Sequence, residues 1–395
     1  MTRSENDTPD SLVMPAGGGA GRQAISPERY SAEVTSAHRF PGPKAWGMIA
    51  KRLYAEFFYR GLPDKGATLS FYSIFTAIPT LMAFYAIVML VLDQNRDQVL
   101  GVTGEFINRN IPADFAPQAS NIIEAIIGTT QRSLITLIIA ILFALFSSSA
   151  YIRAFSRSAN ALYGREEGRS ILRTWLVMWG LTIALVAGLV LIAAGFFLRE
   201  DLLSPFFTHI ADPLGLAGLR TFMLDYFLPL WTWLRWPVIF GLSQMLIALL
   251  YHVAPNVKQG RFRLFTAGSV SALLVLTLIG VGFRTYVNNF LHIGMYGALG
   301  GIIGGFFCLF MANNVLLLGL QLDAELARAR ELAAGYDSTE LILAPPRASD
   351  AAAGEEQLAE TLQADAERFR RRVRNAEDDK QAVSTVSIAP PDAHS

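Results

Sequence analysis

Six long apolar stretches govern what this chain can fold into, at about 67–92, 133–155, 175–197, 229–251, 264–283 and 297–322. A membrane-spanning helix takes about 20 mostly apolar residues. A membrane strand takes about ten with alternating polarity, and these runs do not alternate. In hydrocarbon every peptide N–H and C=O needs an internal partner, so runs of this length read as helices. Composition agrees: of 395 residues, 52% are apolar and 17% charged, where a soluble chain carries about 25% charged. The expected fold class is all-α: a polytopic membrane protein with a six-transmembrane-helix bundle, an N-terminal interfacial helix and a disordered C-terminal tail. Residues 1–42 read as a disordered cytoplasmic tail, 43–330 as the membrane domain, and 331–395 as a largely disordered cytoplasmic tail.

Lys and Arg near the span ends set orientation. One side carries Lys44, Lys51, Arg52, Arg60 and Lys65 before the first span. To these it adds Arg153, Arg157, Arg165, Arg169 and Arg173, then Lys258, Arg261 and Arg263, then Arg328 and Arg330. The other side carries only Arg96, Arg109, Arg132, Arg199, Arg220 and Arg284, over more residues. The richer side is expected in the cytoplasm, with both termini, in a bacterial inner membrane. Residues 1–40 hold no apolar core of a secretory signal. Cys308 is the sole cysteine, so no intrachain disulfide forms.

Trp46, Ile49, Ala50, Leu53 and Phe57 recur at helical spacing, with Lys51, Arg52 and Glu56 off that stripe. This predicts a helix in the cytoplasmic interface, turning into the membrane near Gly61 and Pro63. Trp231, Trp233 and Trp236 read as an outer aromatic belt. In the external stretch, 98–110 and 118–128 read as short amphipathic segments. Beyond the spans, Leu358, Leu362, Ala366, Phe369 and Val373 keep helical spacing in a charged stretch. An exposed helix, a weak oligomerisation segment and a solvated tail all fit that pattern.

Polar residues inside spans carry the functional signal, because they are costly unless paired or wetted. Ser70, Tyr72, Ser73 and Thr76 precede Pro79, which breaks a backbone hydrogen bond and kinks a helix. A kink repaired by hydroxyls and a substrate-lining face both fit. Ser149, Arg153, Arg157 and Asn160 share one face, suited either to phosphate or carboxylate groups or to ordinary arginine anchoring. Gly297, Gly301 and Gly305 are spaced for close helix packing. Asn313, Asn314, Gln321, Asp323 and Glu325 follow, and Asn314, Gln321 and Glu325 fall near one stripe. Interhelical hydrogen bonding and a polar cavity both account for it. The candidate cavity-lining set is Ser70, Tyr72, Ser73, Thr76, Arg153, Arg157, Asn160, Asn314 and Gln321, with Pro79, Gly297, Gly301 and Gly305 assigned to kinking and packing.

His38, His209, His252, His292 and His394 show no metal-ligand spacing. There is no phosphate-cradling loop, no serine-centred nucleophile motif, and almost no acid within the spans. No catalytic residue, cofactor or metal is expected.

Several segments together resemble the YihY/BrkB family of bacterial inner-membrane proteins. They are Gly66 through Pro79 (GATLSFYSIFTAIP), Ala159 through Gly164 (ANALYG), and Tyr251 through Asn256 (YHVAPN) before a basic turn. Tyr286 through Phe290 (YVNNF), Tyr296 through Leu299 (YGAL), and Gly319 through Glu325 (GLQLDAE) complete the set. Their order extends over residues 45–330. Members carry Glu, then Asn, near the end of the last span, where this chain has Gln321 and Asp323. The resemblance implies an integral inner-membrane protein, linked to serum resistance and envelope functions. The ribonuclease BN label borne by the family has no clustered acids, bases or ligands here to support it. The leading expectation is a transporter-like protein handling an amphiphilic or anionic envelope solute or lipid, with membrane lipids as partners and no nucleic acid. A scaffold without a substrate is the second reading, and a ribonuclease the last. The glycine face fits packing within one chain or between two, so the oligomeric state stays open at this stage.

The solvent argument has a direct check. The purified polypeptide is expected to need detergent or lipid to stay monodisperse; a stable monomer in plain buffer on size exclusion would overturn it.

Overall fold

The computed structural model describes the backbone of residues 34, 42–91, 100, 101, 103–105, 107, 108, 116–129, 134–165, 167–197, 218, 222–290 and 297–386. It is helical throughout these residues, apart from turns and one isolated antiparallel bridge, Val257 to Pro346. In chain order the helices are α1 Pro43–Tyr59, α2 Leu62–Val91, α3 Ala116–Thr129, α4 Leu134–Leu162 and α5 Ile171–Phe197. A π-helical turn, Phe222–Phe227, leads into α6 Leu228–Val253, followed by α7 Ala267–Phe290, α8 Gly297–Ala333 and α9 Asp350–Val386.

Helices α2, α4, α5, α6, α7 and α8 pack in chain order as a ring, and α8 closes it against α2. α8 also reaches across to α4, α1 leans on α2 and α8, and α3 leans on α2. The core lies toward the end of the ring where α4, α6 and α8 finish. There Leu69, Phe155, Met178, Leu250, Tyr251, Leu317 and Leu320 meet, with Phe155 and Tyr251 stacked at 6.3 Å.

The solvation pattern is inverted relative to a soluble protein. Phe143, Leu172, Leu176, Leu189, Trp233, Leu274, Leu278, Ile303 and Phe307 point outward and are exposed. Ser70, Ser149, Thr182, Gln244, Asn313, Asn314 and Gln321 are buried. A contiguous apolar exterior is stable only against an apolar surround. Four stretches among the described residues are long and apolar enough to cross a membrane: Ile171–Ile192, Phe222–Val253, Ala267–Tyr286 and Ile303–Ala333.

Several boundaries differ from those read in the sequence. α7 starts at Ala267 rather than 264, because the Asp323 carboxylate of α8 caps it: Thr266 Oγ1 donates at 2.6 Å and the Gly268 N–H at 2.7 Å. A carboxylate suits a helix N-terminus. α8 runs to Ala333 rather than 322 because Glu325, Arg328 and Glu331 find buried partners and let the helix continue. α1 turns into α2 at Gly61, whose φ of 70° ends a helix at no steric cost. α2 remains helical through position 79; a kink at Pro79 lies outside the described side chains.

The expected disordered tail from 331 meets a different arrangement. Residues 336–348 form a strap folded onto the bundle, with Ile342, Leu343 and Ala344 buried in the main core. A run holding Leu341, Ile342 and Leu343 has apolar surface to hide, which charge counts over the whole tail obscure. Beyond it α9 is a 37-residue exposed helix. The segment around 118–128 is helical as α3. Residues 1–33 and most of 92–115 lie outside the described residues, while Val34, assigned to the N-terminal tail, is buried in the core.

The glycine expectation also shifts. Position 305 has nothing within 4 Å, whereas a Cβ at Gly304 would meet Tyr286 at 2.7 Å. Gly297 lies in the helix with its surroundings outside the described residues, and Gly301 is half-buried. A close helix approach falls at Gly268 and Gly319, where a Cβ on Gly268 would stand 2.0 Å from the Gly319 carbonyl oxygen. Gly268→Ala is therefore expected to destabilise by about 1–3 kcal/mol through overpacking. Gly280→Ala, in open space on the same helix, is expected to be neutral or slightly stabilising. Thermal unfolding in detergent reads both.

Candidate functional site

Buried polar groups concentrate on one side of α8, where it faces α2. Asn314, Gln321, Glu325 and Arg328 recur at intervals of seven, four and three, which stacks them on one helical stripe. All four are at least 95% buried. Asn313, beside the stripe, is the hub of a cluster joining three helices. Its Nδ2 donates to Ser70 Oγ and Ser73 Oγ on α2, each at 3.3 Å, and to its own Leu309 carbonyl at 2.9 Å. Its Oδ1 accepts the Tyr151 hydroxyl of α4 at 2.9 Å.

Ser70 and Ser73 also donate to carbonyls one turn back, at 2.8 and 2.9 Å. Thr76 bonds back to Ser73 at 3.2 Å. These hydroxyls are thereby satisfied locally, and the amide of Asn313 links them to the neighbouring helices. Asn314 packs so close to α2 that a Cβ at Gly66 would meet its side chain at 2.5 Å. Its Nδ2 donates to Phe310 O at 2.8 Å, while its Oδ1 is buried with no hydrogen-bond partner among the described residues. Gln321 repeats the pattern: Nε2 donates to Glu325 Oε1 at 3.1 Å and Oε1 is left unmatched. Two buried acceptors thus stand along the stripe without donors among the described residues.

The stripe ends in charge. Glu325 pairs with Arg328 at 2.9 Å and with Arg52 of α1 at 3.7 Å. Arg328 donates to Ser338 O at 2.7 Å, and Arg52 to Thr339 O at 2.6 Å. Glu331, fully buried, accepts the Ser338 hydroxyl and the Leu343 N–H. Losing either partner of such a buried pair strands a charge, so the strap and α1 are held where the stripe emerges.

Arg153 sits apart, one helix over. Its guanidinium lies 4.2 Å from the Trp175 ring of α5 and 5.7 Å from Phe146, and it donates to Ser149 Oγ. Tyr72, which packs against the core, and Arg157, which is exposed, lie within its electrostatic reach. A half-exposed guanidinium on an indole face keeps donors free for an anion.

Asn160, expected beside these arginines, belongs to another cluster. Its Nδ2 donates to Glu167 Oε2 at 2.9 Å and its Oδ1 accepts the Asn256 N–H at 2.7 Å. Asn256 exchanges bonds of 2.8 and 3.1 Å with Ala348 of the strap. Arg169 donates to carbonyls of Val253, Ala254 and Pro255, and Arg347 to those of His252 and Val257. Burial pushes Arg347 below the usual arginine range, and Arg169 nearby pushes the same way. Burial also lowers Arg169, against the raising effect of Glu167. This clasp ties two connections to the strap.

The sequence-predicted set therefore splits into three: Ser70, Ser73, Thr76, Asn314 and Gln321 along the α2–α8 seam; Tyr72, Arg153 and Arg157 at the α4–α5 face; Asn160 in the clasp. Asn313 and Tyr151 were missing from it. The adjacent pair Asn313-Asn314 inside an apolar run is the signal for the first; Tyr151 has none beyond a hydroxyl in a span. Among the described residues, no three His, Cys, Asp or Glu residues form a metal-binding group.

The family model for virulence factor BrkB matches residues 53–340. A Bacillus subtilis protein named ribonuclease-like protein YfkH is 29% identical over 283 residues, covering 71% of this chain and 96% of that one. UPF0761 membrane proteins of Saccharophagus degradans and Teredinibacter turnerae are each 24% identical, over 64% and 63% of this chain. The chain spans about half the length of those two, 54% and 53%. No solved structure matches.

Asn313→Ala strips a partner from Tyr151, Ser70 and Ser73 together and is expected to cost about 1–3 kcal/mol. Asn314→Ala breaks only a bond to its own helix and should shift thermal unfolding less. Equal losses would remove the distinction between hub and seam.

Proposed function

The chain belongs to the virulence factor BrkB family, and from that footing we propose that it is a transporter-like inner-membrane protein for an amphiphilic solute with an anionic head, such as a lipid. The observation that carries this reading is the buried polar stripe of α8, whose acceptors at Asn314 and Gln321 lack donors among the described residues. A solute hydroxyl, or water moving with it, supplies those donors. Arg153 on Trp175, with exposed Arg157 a turn away, suits the phosphate or carboxylate of the head. The apolar exterior suits its chains.

In this reading all six ring helices cross the bilayer. α2 and α4, of 30 and 29 residues, exceed the about 20 residues needed. The end carrying the clasp, α1 and the strap faces the cytoplasm, because its connections hold most of the Lys and Arg. α1 then lies in that interface, with Lys44 and Lys51 beside a groove of about 640 Å³ and Ile49 docked on Leu326 and Ala329. The hub of Asn313, closed by its own hydrogen bonds, favours the second reading, a scaffold that moves nothing.

The test is flux of a labelled anionic lipid through vesicles holding the purified protein. Arg153→Ala combined with Asn314→Ala is expected to cut flux at least tenfold while the protein stays folded. Unchanged flux would overturn these sites, and no flux in the wild type would favour the scaffold. Nuclease-free preparations are expected to leave RNA intact.

A further inference from the structure

α9 lies beyond the part of the chain that the family shares, since the match ends at 340 and the helix begins at Asp350. Among the described residues no other helix lies along it. Yet it carries an apolar stripe: Leu358, Leu362, Ala366, Phe369 and Val373 fall within about 80° of helix circumference at about 100° per residue. The four large ones are between 43% and 69% exposed. A solvated helix gains nothing from that order, and an apolar stripe running over the 16 residues from Leu358 to Val373 needs cover.

Charge along the helix selects what covers them. From Asp350 to Glu367 the only charged residues are acidic: Asp350, Glu355, Glu356, Glu360, Asp365 and Glu367. From Arg368 to Arg374 they are five arginines and no acid. An anionic bilayer would attract the second block and repel the first, although the stripe runs through both. A parallel partner helix of the same sequence would set arginine against arginine. An antiparallel one keeps the two arginine blocks apart and lays each beside a segment bearing only acids.

We propose that α9 docks antiparallel on α9 of a second copy of this chain. Pairing about Ala366 sets Leu358 near Val373 of the second copy, Leu362 near its Phe369, and the two Ala366 side by side. A two-fold axis along the membrane normal generates this arrangement for helices crossing it flat. Confinement of both copies to one membrane raises their effective concentration, so a short seam suffices.

Disulfide trapping of the full chain in detergent, with Cys308→Ser as background, tests this. Ala366→Cys is expected to give an oxidised dimer. Leu358→Cys should give at least tenfold less, because antiparallel pairing holds those positions about 24 Å apart. Adding Leu362→Asp and Phe369→Asp to Ala366→Cys is expected to abolish the dimer. Equal trapping at 366 and 358 indicates parallel pairing and overturns the proposal, as does no trapping at 366 or trapping that survives the aspartates. A dye on Phe369→Cys in phosphatidylglycerol nanodiscs should escape quenching by nitroxide lipids. Quenching would place α9 on the membrane and overturn the proposal too.

Discussion

Everything in this structure follows from where polar groups can go when the outside is oil. Lipid offers no hydrogen bonds, so each side-chain amide or hydroxyl within the helices needs a partner inside. Serine and threonine meet this cheaply by bonding one turn back, as Ser70, Ser73, Thr182 and Thr277 do. Asparagine and glutamine cannot satisfy both ends of an amide that way. Two of them reach between helices and so link the ring: Asn313 joins α2, α4 and α8, and Gln244 of α6 joins Ser269 of α7.

α8 is the member on which the others converge. One side carries the hub and stripe toward α2, another approaches α7 backbone to backbone at Gly319, and Asp323 caps α7. The Tyr251 hydroxyl of α6 donates to its Leu316 carbonyl at 2.5 Å. Its last turns anchor α1 and the strap through Glu325, Arg328 and Glu331. A helix with so many obligations has little freedom of composition. This accounts for its mean character: small residues for contact, amides for linkage, and charges where a helix end, an arginine or the strap gives them partners.

Arginines near the clasp end of the bundle are held in two different ways. At the clasp end, side chains meet loop carbonyls: Arg169 and Arg347 together collect five of them. Gly168 permits this, since a Cβ there would stand 2.0 Å from the Ala348 carbonyl oxygen. Two connections and the strap are thereby held together. Arg153, by contrast, lies against the Trp175 and Phe146 rings and donates to one hydroxyl, Ser149 Oγ. That difference separates arginines locked into the fold from one whose guanidinium stays half-exposed.

Much of this was legible in the chain itself. Apolar run length determined helices and their solvent, and the amides and hydroxyls that matter stood out because lipid makes them expensive. Periodicity likewise marked the stripe of α9. Sequence could not sort the polar residues into hub, face and clasp: Asn160 shares a helical face with Arg153, yet its partner Asn256 is 96 residues away. Nor could it show that Asp323 caps a neighbouring helix, or that residues 336–348 fold back onto the core. Those outcomes depend on which helices become neighbours. Adjacency is a property of the assembled ring, since every local pattern here fits several partners and only packing selects one.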